Sequence, residues 1–169
     1  LVHMPLGFLV LKTAQLIESG MSKGKIIEYI NEYKKTIKSL FIPKSLEYLK
    51  KGGRIGRAKS LIASLLEIKP ILTLNFGEVS PYKNTRRWPQ AKNELINSME
   101  KMIIKKENLV VSVGDSDAKE EGKEMIEEIK KRLKPKIIIP VNIGIIVGTH
   151  LGPDSLGVTF FEDDGFKSI

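Results

Sequence analysis

Three consecutive segments between residues 109 and 147 constrain this chain most. Leu109 to Val113 is an apolar run interrupted by Ser112 alone, the pattern of a strand buried on both faces. Ala118, Gly122, Met125, Ile129 and Leu133 then recur at helical spacing. The intervening Glu120, Glu121, Glu124, Glu127 and Glu128 read as a solvated helix face with Lys123, Lys130 and Lys131 as partners. Ile137–Val141 and Ile143–Val147 are apolar again, either two core strands or one strand bent at Gly144. A strand, an amphipathic helix and further strand in this order need a sheet with helices laid against it.

The rest of the chain extends that pattern. Leu6, Leu9, Val10, Thr13, Ala14 and Ile17 share one helical face, and Gly20 is a stop signal. Ser22 is an N-cap candidate for a second helix carrying Ile26, Ile30, Tyr33 and Ile37. Lys38–Ile42 reads as a strand ended by Pro43, and residues 45–51 as a short helix ended by Gly52-Gly53. Ala58, Leu61, Ile62, Leu65 and Leu66 form a further stripe. Ile71–Leu74 and Glu78–Tyr82 flank Asn75-Phe76-Gly77, a hairpin signal. Trp88-Pro89 opens a helix with Ala91, Leu95, Met99 and Met102 inward, and Gly157–Phe161 is the last strand. The expected fold is a two-layer α/β domain, residues 1–169, with a mixed sheet and helices on one face.

Composition narrows the chemistry. The chain has no Cys, which excludes disulfides, thiolate metal sites and cysteine nucleophiles and permits a cytosolic location. Its only histidines are His3 and His150, so no multi-histidine metal site is expected. The most apolar stretch, 137–147, is too short to span a bilayer. The formal charge of +8 comes from two short segments. Residues 44–59 hold Lys44, Lys50, Lys51, Arg54, Arg57 and Lys59 against Glu47 alone. Residues 82–92 hold Lys83, Arg86, Arg87 and Lys92 with no acid. Such concentration predicts an anionic partner if the fold brings the segments together. A nucleic-acid-binding module is the alternative that charge alone favours, but with 7% aromatics the chain offers no evident stacking platform.

Few motifs carry chemistry. Residues 51–60 place Arg54, Arg57 and Lys59 around Gly52, Gly53 and Gly56, without the spacing of a Walker A loop. Gly52 and Gly53 would end a helix and allow positive φ. Gly148-Thr149-His150-Leu151-Gly152-Pro153 reads as a glycine-framed loop after a buried strand, where α/β proteins place ligands. His150 and Thr149 would offer a ring nitrogen and a hydroxyl to a ligand oxygen. Gly114-Asp115-Ser116-Asp117 reads as a helix start with Ser116 or Asp117 as N-cap, and Asp163-Asp164 as a polar tail. No catalytic constellation or metal cluster is evident.

The motifs in their order resemble those of the DegV family. Residues 46–57, Leu-Glu-Tyr-Leu-Lys-Lys-Gly-Gly-Arg-Ile-Gly-Arg, look like its signature. Residues 65–72 with Gly77, Lys83 and Arg86 also fit, as do Pro5–Val10, Leu16–Gly20 and the 148–153 segment followed by Gly157. Asp154 departs from the family's usual glycine. The resemblance implies a bacterial, cytoplasmic fatty-acid-binding protein without catalytic activity of its own. It implies a roughly six-stranded sheet, no cofactor, and a long-chain fatty acid as ligand. The chain resembles only the family's second domain, with the N-terminal lipid-binding domain absent. By resemblance His150, with Thr149, lies at the carboxylate end, and Ile55, Leu61, Ile143 and Phe160 are expected in the pocket wall. Arg54, Arg57 and Arg86 resemble residues that face a separate fatty acid kinase. No stable membrane insertion is implied, and self-association is expected from an uncovered apolar patch.

Overall fold

The computed structural model describes residues 1–64, 68–163 and 165–166, with backbone alone for 62–64. Leu65 and Leu66 of the expected stripe, Asp164, and the Leu65-Leu66-Glu67 part of the family motif lie outside the described residues, as does the side chain of Ile62. Six strands form one sheet: β1 Lys38–Ile42, β2 Lys69–Asn75, β3 Glu78–Thr85, β4 Leu109–Ser116, β5 Ile137–Asn142 and β6 Ser155–Glu162. Their order is β3-β2-β1-β6-β4-β5. Only β4 and β5 pair in parallel; the other neighbours are antiparallel. The mixed sheet is therefore as expected.

The helices are α1 Met4–Glu18, α2 Lys23–Thr36, α3 Glu47–Lys51, α4 Trp88–Met102, α5 Lys119–Leu133 and α6 Ile145–Leu151. Helices α4 and α5 make the second layer. Leu95, Ile96 and Met99 of α4 and Met125, Ile129 and Leu133 of α5 bury against Leu40, Ile42, Ile71, Val111, Val113, Val158 and Phe160 of the sheet. Arg132 of α5 ties the helices together at the surface, donating to Asn93, Asn97 and Glu100 of α4. Helices were expected on one face only, but α1, α2 and α3 pack on the far face too, in two separate clusters. One gathers Phe8 of α1 and Tyr33 of α2 on Val110 and Phe161. The other gathers Leu46, Leu49, Ala58 and Leu61 on Leu72 and Val79.

Five local expectations need correction. The segment 143–147 is not a strand: Val147 and Gly148 donate to the Gly144 carbonyl, and α6 begins there. Both sides of β4 are already occupied, by β5 and β6, so β-branched side chains alone could not place another strand beside it. Helix α1 buries Pro5, Phe8, Lys12 and Leu16, and leaves the expected stripe of Leu6, Val10 and Ile17 about half or more exposed. Phe8 wins because Phe161 and Phe166 meet it edge-on, at centroid distances of 4.8 and 5.6 Å. Asp163 is not in a polar tail. It is buried, pairs with the Lys12 ammonium at 2.7 Å and accepts from Tyr33 Oη at 2.7 Å. Neither Ser116 nor Asp117 caps α5; Asp115 Oδ1 accepts from the Ala118 amide, one residue before the helix. Gly52 ends α3 with φ −78°, so it is Gly53, at φ 66°, that uses the left-handed freedom.

Other details follow the sequence closely. Phe76 and Gly77 turn the β2–β3 hairpin with φ of 49° and 84°, as a two-residue hairpin loop demands. Asp154 sits at φ 55°, a backbone conformation that favours glycine. Pro140 lies on β5, an edge strand, where a missing amide is tolerated.

Candidate functional site

The two clusters on the far face leave a cavity of about 520 Å³ between them. Its floor is made of the small side chains of three neighbouring strands: Ser39 on β1, Ser112 and Gly114 on β4, and Gly157 and Thr159 on β6. Gly114 and Gly157 are direct cross-strand partners, so bare backbone forms part of the floor. The next residues along the same strands, Leu40, Val111, Val113, Val158 and Phe160, are large and point into the α4–α5 core. Pleating thus gives these strands one full face and one hollow face. Ser39 Oγ and Thr159 Oγ1 hydrogen-bond across the floor at 3.1 Å.

The walls are mainly apolar. Phe41, Leu49, Leu74, Val79, Ile143 and Val147 line them, with Val2 and His3 at the chain start. Such a cavity lies within the range of about 300–1,000 Å³ that small-molecule sites occupy. Two polar groups stand out. Arg54 lines the rim, exposed, with Nη1 donating to the Gly52 carbonyl at 3.4 Å. His150, on the last turn of α6, lines the wall, and its Nδ1 is buried with no hydrogen-bond partner. Among the described residues no group of three or more His, Asp or Glu is placed to hold a metal ion. No described helix is long and apolar enough to cross a membrane.

The sequence candidates divide clearly. His150, Ile143 and Arg54 reach the cavity. Thr149 does not: it is exposed on α6, and its hydroxyl donates to the Ile145 carbonyl at 2.7 Å. Ile55 and Leu61 stand behind the wall in the Leu46–Val79 cluster. Phe160 is 1% exposed and lies on the opposite face of the sheet, in the α4–α5 core. It fails as a wall residue because it follows Thr159, whose side chain already takes the cavity face.

The basic residues do not form one patch. Arg57 sits at the hairpin end of β3, its Nε 3.3 Å from Glu78. Arg86 follows the other end of this eight-residue strand, about 23 Å away at roughly 3.3 Å per residue. The two basic segments meet at Lys44, whose ammonium lies 4.9 Å from the Trp88 ring centroid. Several of their charges are paired: Lys51 with Glu47, Lys83 with Glu94, and Lys92 with Glu124. Hydrogen bonding from Lys83 holds the Glu94 carboxyl below the usual range. The glycine floor was the part that sequence reasoning missed. Its signal was present in Gly157-Val158-Thr159-Phe160, where small and large side chains alternate with the period of a strand.

Comparison with known proteins agrees with this architecture. The sequence model of the DegV family, described as an uncharacterised protein family, matches residues 1–163. A DegV domain-containing protein of Clostridium acetobutylicum is 33% identical over 164 residues, covering 97% of this chain and 57% of that protein. Protein DegV of Bacillus subtilis is 31% identical over 153 residues, covering 90% of this chain and 54% of its own length. The chain therefore spans about half the length of the curated relatives it matches. The crystal structure of Bacillus subtilis DegV, described as a fatty acid binding protein, superposes with a TM-score of 0.83 at 30% identity. It covers 94% of this chain and 57% of that one. A stearic acid-binding protein from Eubacterium ventriosum gives a TM-score of 0.84 at 28% identity, covering 94% and 55%. The glycine signature, the strand order and the family match coincide over nearly the whole chain, which belongs to the DegV family.

Proposed function

We propose that this chain binds a long-chain fatty acid in the cavity on the far face of its sheet. The observation that carries this reading is the hollow itself: an apolar trough floored by Gly114 and Gly157, with one imidazole on its wall. The hydrocarbon would lie along Phe41, Leu74 and Ile143, and the carboxylate would meet His150, with Arg54 at the rim. Relatives described as binding fatty acids, at 28 and 30% identity, support the choice of ligand. Because this chain spans about half of those relatives, binding should be weak, with part of the lipid left in water. Titration with stearic acid, read by displacement of a fluorescent fatty acid, tests the assignment. Equal affinity for the acid and its methyl ester would sink the carboxylate–His150 contact. Retention of a stoichiometric fatty acid in native mass spectrometry would overturn the expected weakness.

The chain acts in this reading as a non-catalytic carrier in the cytoplasm. A separate fatty acid kinase phosphorylates the carboxylate, and Arg54, Arg57 and Arg86 are offered to it as separated charged contacts rather than one patch. In a full-length relative, charge reversal at the positions matching Arg57 and Arg86, which lie outside the cavity lining, should weaken kinase coupling and spare lipid binding. Equal loss of both would refute that division. The exposed Leu6, Val10 and Ile17 stripe supports self-association of this chain, which sedimentation at rising concentration would detect.

A further inference from the structure

Helices α3 and α6 meet through two reciprocal notches. A Cβ on Gly52 would collide with His150, lying inside van der Waals contact of Nδ1 and 3.0 Å from Cε1. A Cβ on Gly152 would collide with Tyr48, at 2.8 Å from Cγ and 2.9 Å from Cε2. Each helix therefore ends in a glycine that accepts a ring from the other. The φ of Gly52, −78°, is open to any residue, so the demand for glycine there comes from the imidazole and not from the backbone.

The same packing constrains the ring's chemistry. Nδ1 is pressed against α3, buried and without a hydrogen-bond partner. A neutral imidazole carries one N–H and one lone pair. Burying an unpaired donor is tolerated less readily than burying an unpaired acceptor. The proton then belongs on Nε2, the nitrogen left for the cavity. We infer that Gly52, Tyr48 and Gly152 are positioning residues that lock His150 in its Nε2–H tautomer, so that the cavity meets a hydrogen-bond donor fixed in place. This rests on the reading that His150 serves the cavity ligand, but its test needs no ligand.

Long-range ¹H–¹⁵N correlation of the imidazoles in the ligand-free protein reads the tautomer directly, with His3→Gln assigning the two rings. The expected pattern is an unprotonated Nδ1 and a protonated Nε2 for His150. A protonated Nδ1, or shifts averaged between tautomers, overturns the inference. Gly52→Ala should average the His150 shifts while leaving distant amide resonances in place; an unchanged His150 pattern also overturns it. Should Gly52→Ala unfold the chain, a second comparison decides. In the His150→Ala background, Gly52→Ala should lower the melting temperature by less than about half of its effect in the native background, since the ring it strikes is gone. Equal losses in the two backgrounds would refute the notch. Failure of stearic acid to bind, with the tautomer pattern intact, would count against the proposed ligand alone.

Discussion

The two faces of this sheet share the same backbone and differ in nearly everything else. Toward α4 and α5, β1, β4 and β6 present Leu40, Ile42, Val111, Val113, Val158 and Phe160, all 2% exposed or less. Toward the far side the same strands present Ser39, Ser112, Gly114, Gly157 and Thr159 around an open trough. One face is a continuous packed layer and supplies stability. The other is interrupted and supplies room. A strand's period of two lets both demands be met within one run of residues, without compromise between them.

Substitutions on the two faces should therefore separate stability from binding. Phe160→Ala removes a large, fully buried side chain from the packed face and should cost about 3–5 kcal/mol by denaturant titration. A loss under about 1 kcal/mol would mean that this face is not the stabilising one. Asp163→Asn should rank next. It leaves the Lys12 ammonium buried without its partner, at a cost of about 3–5 kcal/mol where no water reaches the ion. Lys12→Met in the same chain should restore much of that loss, because the unpaired charge goes with it.

The same cluster predicts a pH response. Burial, then the hydrogen bond and charge of Asp163, push the Tyr33 hydroxyl far above its ordinary value. The unfolded chain releases this proton near pH 10, and the folded chain keeps it. Stability from this group is thus complete below about pH 10 and declines as pH rises beyond it. Tyr33→Phe should flatten that alkaline decline in thermal melts. An unchanged alkaline slope would show that the phenol is not held in its neutral form.

Much of this arrangement was legible in the sequence, and the failures have common causes. Periodicity located α4 and α5 because each has a single apolar face, and short apolar runs located β1 and β4. It misplaced the buried face of α1 because two apolar stripes compete there. The contacts that decide it, Phe8 with Phe161 and Phe166 and Lys12 with Asp163, join residues far apart in sequence. It took 143–147 for a strand because isoleucine and valine favour strands, whereas available sheet positions are a property of the whole topology. That segment became α6, with Ile145 and Ile146 at 87 and 79% exposure beside the cavity. Its last turn carries His150, so the misread element and the site are the same piece of chain. Local preference loses where the structure leaves apolar surface open, and that is where a ligand or partner would have most to cover.

The smallest stability effect gives the sharpest comparison. A Cβ on Gly157 would meet Phe41 Cβ at 3.5 Å and the Leu40 carbonyl at 3.9 Å, both ordinary contacts. The glycine is therefore not required by the backbone, and valine suits a strand better, so Gly157→Val should change stability by less than about 1 kcal/mol. Its two methyl groups would stand on the cavity floor opposite Gly114. Fatty-acid affinity should fall at least tenfold, or about 1.4 kcal/mol, while Phe160→Ala measured under folding conditions keeps the floor intact. Thermal melts and ligand displacement on the two variants then form a crossed pair: one loses stability, the other binding. If Gly157→Val unfolds the chain, the far face carries packing after all. If it leaves affinity untouched, the ligand does not reach the glycine floor.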